Sequence, residues 1–373
     1  MDAARLRQSA HLTRAELGRQ AELSKQADER QSRVDAVLGR FFSVARRRAA
    51  PLGPEYLELW TRLEAGTVGG KRFRPRMVIA AYEALGGDDL ETAACVGAAF
   101  ELLHTALIVH DDVIDHDFVR RGAPNISGSF RDRARAEGAP VAAAEHRGMS
   151  ASVIAGDLAL TGAYRLVDHS GVGDDIRSAL LEIMDEALFA SAAGELIDVD
   201  FAWAAGIPRV DEILTMERLK TAVYSFECPL QAGAVLAGAS GETVATLGAF
   251  GRDMGIAYQI VDDLLGVFGR EEETGKSALG DLREGKRTVL IAHASATPGW
   301  SDVEPLFGDP DLDAEGADRL RAHLVACGAR SFAEGLARYY ANRALARLLE
   351  PHIPPDLRTE LHPIADAVLA RRA

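Results

Sequence analysis

The chain has 373 residues, 47% of them hydrophobic, and carries a formal net charge of −14. That acidic balance argues against a nucleic-acid partner, which asks for a basic surface, and no apolar run of about eighteen residues stands out, so no membrane span is expected. Cys95, Cys228 and Cys327 lie far apart, and the ten histidines show no zinc-type spacing; reduced core cysteines in a cytoplasmic protein are expected, with neither a disulfide framework nor a zinc site.

Residues 1–33 mix basic and acidic groups without a hydrophobic stretch of signal length, and are too acidic for a transit peptide. They read as an N-terminal extension, a flexible or loosely packed helix with no catalytic part. Beyond it, Ala- and Leu-rich segments at 77–107, 150–168, 177–201, 211–237, 243–267 and 331–349 have helical periodicity, and no alternating β-branched run suggests a sheet. Residues 34–373 therefore read as a single all-α domain. The polar stretch 123–148, with Pro124, Gly128, Gly138 and Pro140, reads as a long excursion between helices. Residues 297–316, with three prolines and three glycines, read as a surface loop.

Within this frame the charged residues are not scattered. Gly69-Gly70-Lys71-Arg72-Phe73-Arg74-Pro75 opens a helical stretch, placing three cations near a helix N-terminus, a natural anion site. The apolar run 102–109 then leads into His110-Asp111-Asp112-Val113-Ile114-Asp115, followed by Arg120-Arg121-Gly122. On a helix Asp111 and Asp115 share one face a turn apart. Two anions at the partly negative end of an apolar helix call for a cation, and an open set of oxygen donors suits Mg²⁺, which bridges carboxylates to substrate phosphates. The arginine pair offers forks that match phosphate oxygens.

An Asp-x-x-x-Asp pair alone is ordinarily a solvated face. A second copy changes the weighing: Gln259-Ile260-Val261-Asp262-Asp263 again ends an aliphatic helical segment in paired aspartates, with Gly266 in place of a carboxylate further on. If both helices line one cavity, their aspartates can face each other across metal ions and a diphosphate. Lys220-Thr221, Lys276 and Lys286 add cations around these motifs.

This ordered set, Gly-Gly-Lys-Arg-x-Arg-Pro, Asp-Asp-x-x-Asp-x-x-x-x-Arg-Arg-Gly, Lys-Thr and Gln-x-x-Asp-Asp, resembles the trans-isoprenyl diphosphate synthase family, geranylgeranyl diphosphate synthases among them, over roughly residues 35–370. The resemblance implies an isoprenoid-synthase-type helical bundle around a deep central cavity with both aspartate motifs at its mouth, and a homodimer. It implies two or three Mg²⁺ ions held by Asp111, Asp115 and Asp262, with Asp112 and Asp263 close by. Arg120, Lys220, Lys286 and, on loop closure, Lys276 would hold an allylic diphosphate. Lys71, Arg74, His104 and Arg121 would hold isopentenyl diphosphate. Lys220, Thr221 and Gln259 would serve the chemistry, in which diphosphate leaves an allylic carbon and the isopentenyl double bond attacks it.

Two departures from the family pattern matter. Glu195 stands where a glutamine is usual, and its charge is either neutralised by a lysine or turned outward; Asp198, a turn on, is a weak metal-site candidate. Gly266 replaces the last aspartate of the second motif, so that wall has one carboxylate fewer. Product length follows helix geometry: a chain growing back from Asp111 passes Leu107, Ala106, Leu103 and Leu102 before Phe100, the first large plug, eleven residues back. One turn rises about 5.4 Å, near one isoprene unit, which points to twenty carbons, although Phe100 could equally be plain core. A terpene cyclase would not need Lys71, Arg74 and Arg121, and a non-catalytic partner subunit would tend to lose aspartates that are all present.

Overall fold

The computed structural model describes residues 14–69, 72–204, 206–269 and 279–370, with side chains from Lys25 onward. Lys71 and Lys276 lie outside the described residues. Helix α1 (Arg14–Ala49) opens the chain. Val34, Val37, Leu38 and Phe42 recur along one helix face and are all buried, so that face docks on the bundle. No break in α1 marks the 33–34 boundary. Arg30 reaches Glu83 (2.6 Å) and Glu360 (2.9 Å), and Arg33 reaches Glu91 (2.6 Å), tying the mixed-charge stretch to segments early and late in the chain.

After α2 (Pro54–Gly66) and α3 (Phe73–Ala84) comes α4 (Leu90–Ile114), started by Asp89, which accepts from the Thr92 N–H at 3.1 Å. Contrary to the expectation from sequence, α4 is long and apolar enough to cross a membrane by composition. However, 72% of its most apolar window is buried inside the fold, against α6, α3 and α1, so the apolarity serves the core. A short antiparallel ribbon follows, pairing Val119–Arg120 with Ala123–Pro124. Its turn residues Arg121 and Gly122 both have positive φ (53° and 75°), the backbone that matches strand twist in a two-residue hairpin.

The polar stretch after it is not an irregular excursion. Asn125 accepts from the Gly128 N–H (2.8 Å) and starts α5 (Ile126–Ala136). This helix buries Ile126, Phe130 and Ala134, every fourth residue, and exposes Arg133 and Arg135. A single narrow apolar stripe leaves the composition polar while still paying out a packed face. Next come α6 (Val141–Asp168) and α7 (Asp174–Trp203). Then α8 (Val210–Glu217) runs without interruption through a π-helical segment, Arg218–Glu227, into α9 (Cys228–Leu236).

Helix α10 (Gly241–Phe268) carries the second aspartate motif, followed by α11 (Gly280–Arg283), α12 (Val289–Ser295), α13 (Ala314–Ala326), α14 (Ala329–Arg347) and α15 (Pro355–Leu369). Ala329, Ala333, Ala337 and Ala341 recur every fourth residue along the buried face of α14, and these small side chains let it lie close along α10. The 297–316 segment is anchored rather than superficial, since Trp300, Val303 and Leu312 are buried. Two apolar clusters result, one around α4 and α6 and one around α10 and α14, and α3 and α9 contribute residues to both. The fold is all-α, and the ribbon at 119–124 is the only strand pairing among the described residues.

Candidate active site

The first aspartate motif ends α4. Asp111 and Asp112 lie in its last turn and Asp115 caps it, its N–H donating to the Asp111 carbonyl at 2.9 Å. The ribbon folds Arg120 back onto them: Nε donates to Asp112 Oδ1 (2.8 Å) and Nη2 lies 3.4 Å from Asp111 Oδ2. Burial pushes the Asp112 carboxyl up, and Arg120 pulls it back down. At Asp115, crowding of the carboxyl by protein and then the Asp111 charge push it up to about 6, although the residue keeps solvent contact.

Lys220 reaches this wall from the π-helical segment. Its Nζ lies 2.7 Å from Asp198 Oδ2, 3.0 Å from Glu195 Oε2 and 3.3 Å from Asp111 Oδ1. Burial works against its charge, but the three carboxylates outweigh that and raise its pKa. Of the two alternatives for Glu195, neutralisation by a lysine is what occurs. Burial nonetheless holds that carboxyl up to about 7, Lys220 opposing and Asp111 adding to the shift. The approach depends on Gly194: a Cβ there would stand 2.6 Å from Lys220 Cα and closer still to its amide nitrogen.

The neighbouring residue serves the opposite wall. Thr221 Oγ1 donates to Gln259 Oε1 (3.0 Å), Gln259 Nε2 donates to Asp263 Oδ1 (3.0 Å), and Lys286 Nζ donates to the same oxygen (3.1 Å). Asp263 is buried, which raises its pKa against the pull of Lys286, and Asp263 in turn holds Lys286 well above the ordinary lysine value. Asp262 precedes it on α10. Behind them Glu217 is buried beside Asp263, and burial and then Asp263, through its charge and a side-chain hydrogen bond, drive its pKa far up.

A third cluster surrounds Arg74. Its Nη2 donates to Ser225 Oγ (2.6 Å) and Tyr224 OH (3.2 Å), and the guanidinium lies 4.8 Å from the centre of the Tyr224 ring. His104 Nδ1 is 3.2 Å from the same hydroxyl. Burial, then Arg74, Arg120 and Arg121, push the His104 pKa well below the usual value, so the ring is neutral at physiological pH. Arg121 Nη1 donates to the Val68 carbonyl at 3.4 Å. Arg72, left-handed at φ 47°, anchors the loop through Asp35 (3.1 Å) and Glu101 (3.5 Å). A separate cavity of about 440 Å³ lies behind this loop, lined by Asp35, Phe42, Glu64 and Arg72, and no aspartate of either motif reaches it.

Residues 61–304 match the polyprenyl synthetase family. The chain is 31% identical over 310 residues to a geranylfarnesyl diphosphate synthase from Aeropyrum pernix, covering 81% of this chain and 91% of that one. This chain belongs to the polyprenyl synthetase family. Its fold superposes on a geranylgeranyl pyrophosphate synthase from Corynebacterium glutamicum, crystallised with isoprenyl diphosphate and magnesium, with a TM-score of 0.86, 30% identity and coverage of 92% and 99%. A polyprenyl synthase from Caulobacter crescentus, crystallised with calcium and isoprenyl diphosphate, gives 0.75, 29%, 94% and 97%.

For this family member, the residues singled out from sequence fall into groups: Asp111, Asp112, Arg120 and Lys220 meet at one wall, Thr221, Gln259, Asp263 and Lys286 at the other, and Arg74 with His104 at the third cluster. Phe100, Leu103 and Ala106 are buried on α4, and Leu107 is half-buried. Sequence reasoning missed Tyr224, Ser225, Glu101 and Glu217. Glu101 had a signal, since it sits one turn before His104. Tyr224 and Ser225 had none, because a π-helix shifts which residues share a face.

Divalent-metal donors are present, all of them oxygens. Among the described residues no three such side chains close a shell by themselves. The all-oxygen donor set is one that Mg²⁺ accepts. Arg74 Nε is buried without a hydrogen-bond partner, an orphaned donor suited to an anion.

Proposed function

We infer that this protein condenses isopentenyl diphosphate head-to-tail with an allylic diphosphate (dimethylallyl, geranyl or farnesyl), as a trans-prenyltransferase whose main product is geranylgeranyl diphosphate. The observation that carries the reading is that consecutive residues bind opposite walls: Lys220 pairs with Asp111, while Thr221 connects through Gln259 to Asp263. Neighbouring residues that reach both aspartate motifs bring the two motifs to one site, the arrangement needed for metal ions and a diphosphate to lie between them.

Asp111, Asp115 and Asp262 would hold two or three Mg²⁺ ions, and Asp112 and Asp263 would act by holding Arg120 and Lys286. Magnesium supplies Lewis-acid stabilisation of the leaving diphosphate. Arg120, Lys220, Lys286 and Lys276 bind that diphosphate and meet its charge as the allylic C–O bond breaks. Lys71, Arg74, His104 and Arg121 bind isopentenyl diphosphate, whose double bond then forms the new C–C bond to the allylic carbon. The proton lost from the adduct goes to the departed diphosphate. The Thr221 and Gln259 dipoles stabilise the allylic cation without trapping it, and the aliphatic lining excludes water.

Phe100 would end the product cavity at twenty carbons. Relatives include both a geranylfarnesyl and a geranylgeranyl diphosphate synthase, so product length varies among them. A homodimer is supported by apolar side chains left in solvent on α6 and α7, Val153, Ile154, Leu196 and Phe189, the last 72% exposed. Unpaired Cys95, Cys228 and Cys327 suit a reducing cytoplasm.

The test is a product profile: purified protein, Mg²⁺, labelled isopentenyl diphosphate and each allylic starter in turn, with products sized by mass. A dominant twenty-carbon chain is expected. No incorporation from any starter by folded protein overturns the reading. Phe100→Ala is expected to lengthen the product, and an unchanged product from folded variant removes Phe100 as the floor.

A further inference from the structure

The cavity of about 440 Å³ beside Gly69 and Arg72 lies between one face of α1 and the C-terminal end of α2. Its volume falls in the range of small-molecule sites. Gly39 opens it from α1. Glycine inside a helix is destabilising relative to alanine, and at Gly194 the close approach of the Lys220 backbone accounts for it. Gly39 has no such neighbour: among the described residues, a Cβ built there meets nothing within 4 Å. What the missing side chain leaves free is the cavity itself, which Gly39 lines.

The lining selects the charge of an occupant. Two carboxylates, Asp35 and Glu64, stand against one guanidinium, Arg72, over an apolar floor of Leu38 and Phe42. Helix α2 ends here at Gly66 and Thr67, and the carbonyl end of a helix is partly negative. Each acid already holds an arginine, Asp35 with Arg72 (3.1 Å) and Glu64 with Arg46 (2.7 Å), so the pair is a poor cage for a bare metal ion, which wants more free oxygens. An organic ammonium needs less: one charge near the carboxylates and an apolar body on Leu38 and Phe42.

An occupant there would be felt at the substrate loop. Asp35 Oδ1 accepts from both Gln31 Nε2 (2.9 Å) and Arg72 Nη2 (3.1 Å). Arg72 is the left-handed residue before α3, two positions ahead of Arg74, and its guanidinium is held only by Asp35 and Glu101 among the described residues. A cation that engages Asp35 competes with Arg72 and loosens the backbone that sets Arg74. We propose that this cavity is a regulatory site for a small organic ammonium with an apolar body, and that its occupancy weakens isopentenyl diphosphate binding by drawing Asp35 away from Arg72. The binding half stands on the cavity alone; the effect on isopentenyl diphosphate rests on the prenyltransferase reading.

The probe is 2-phenylethylamine, compared with neutral 2-phenylethanol and anionic 3-phenylpropanoate, each titrated by calorimetry into wild type, Gly39→Leu and Asp35→Asn. The amine is expected to bind wild type at least tenfold more tightly than either control. Gly39→Leu fills the cavity and should weaken the amine at least tenfold; leucine favours a helix over glycine, so this variant is expected to fold. Asp35→Asn should weaken the amine by a similar factor and, without any amine, raise the isopentenyl KM. In turnover, saturating amine should raise the isopentenyl KM of wild type about fivefold, leave the allylic KM within about twofold, and leave both constants of Gly39→Leu unmoved. The site is overturned if the three probes bind alike, or if Gly39→Leu binds the amine as wild type does. The regulatory role is overturned if bound amine leaves the isopentenyl KM of wild type unchanged. Failure of the prenyltransferase reading would show instead as absent turnover in untreated wild type, and calorimetry would still decide the site.

Discussion

The two acidic walls solve the same electrostatic problem differently. At the first, Lys220 is shared by Asp111, Glu195 and Asp198 while Arg120 spans Asp111 and Asp112. Carboxylates outnumber cations, and the Asp115 carboxyl, though the residue is exposed, is held up to about 6, first by the protein around it and then by the Asp111 charge. At the second, Asp263 is buried with one lysine and one glutamine amide directed at a single oxygen. The first wall therefore shares its cations among carboxylates in reach of solvent, whereas the second buries its central pair, Asp263 with Lys286, and sets Asp262 and Asp281 around that lysine. In the proposed reading each wall offers acid to a metal, Asp111 and Asp115 at the first and Asp262 at the second, while the buried Asp263 fixes the position of Lys286.

The largest expected effect breaks the first wall. Asp111→Ala should lower kcat/KM about a thousandfold, since several kcal/mol of leaving-group stabilisation depend on metal held there; near wild-type turnover at saturating Mg²⁺ would remove Asp111 as a ligand. Lys286→Ala should come next. It leaves buried Asp263 without a cation, which costs about 2–3 kcal/mol, less than the ~3–5 for a fully buried pair because Lys286 keeps solvent contact. Urea unfolding of metal-free protein measures this, and Mg²⁺ should not restore the loss. Lys220→Ala should instead be rescued by Mg²⁺, and equal rescue of both variants would erase the distinction between the walls.

A smaller effect carries a pH sign. Glu195 keeps its proton up to about 7 in the folded protein against an ordinary value of 4.5. Between those values the folded state holds a proton that the unfolded state has released, so this group costs stability increasingly as pH rises through that window and by a constant amount above it. Glu195→Gln should therefore stabilise metal-free protein by about 1 kcal/mol above pH 7, after solvent screening, and change little near pH 4.5. Midpoints recorded across that range check it, and a pH-independent difference would contradict it. The smallest effect lies outside both walls: Tyr224→Phe removes the hydroxyl shared by Arg74 and His104 and should raise the isopentenyl KM about threefold without moving the allylic one.

The all-α architecture and most charged positions were legible because helical periodicity and ordered motifs are local properties. The failures have specific causes. Segment 123–148 looked irregular because α5 needs only Ile126, Phe130 and Ala134 to dock, too thin a stripe to dominate composition. Helix α4 does not read as an apolar span because Glu101 and His104 interrupt its otherwise apolar run. Tyr224 and Ser225 were invisible because the π-helical turn re-aims side chains in a way no 3.6-residue period anticipates.

The sequence by itself determined which residues carry charge, how they are spaced along helices, and hence the family and the class of chemistry. Only the tertiary structure decided how those charges are shared: that Lys220 rather than solvent neutralises Glu195, that Thr221 faces the other wall, and that Asp281 takes the space over Gly266. Spacing along a helix is set by backbone geometry common to every chain, whereas the partner of a buried charge is set by which helix backbones can approach closely, and that depends on small residues such as Gly194 and Gly266 meeting segments distant in sequence.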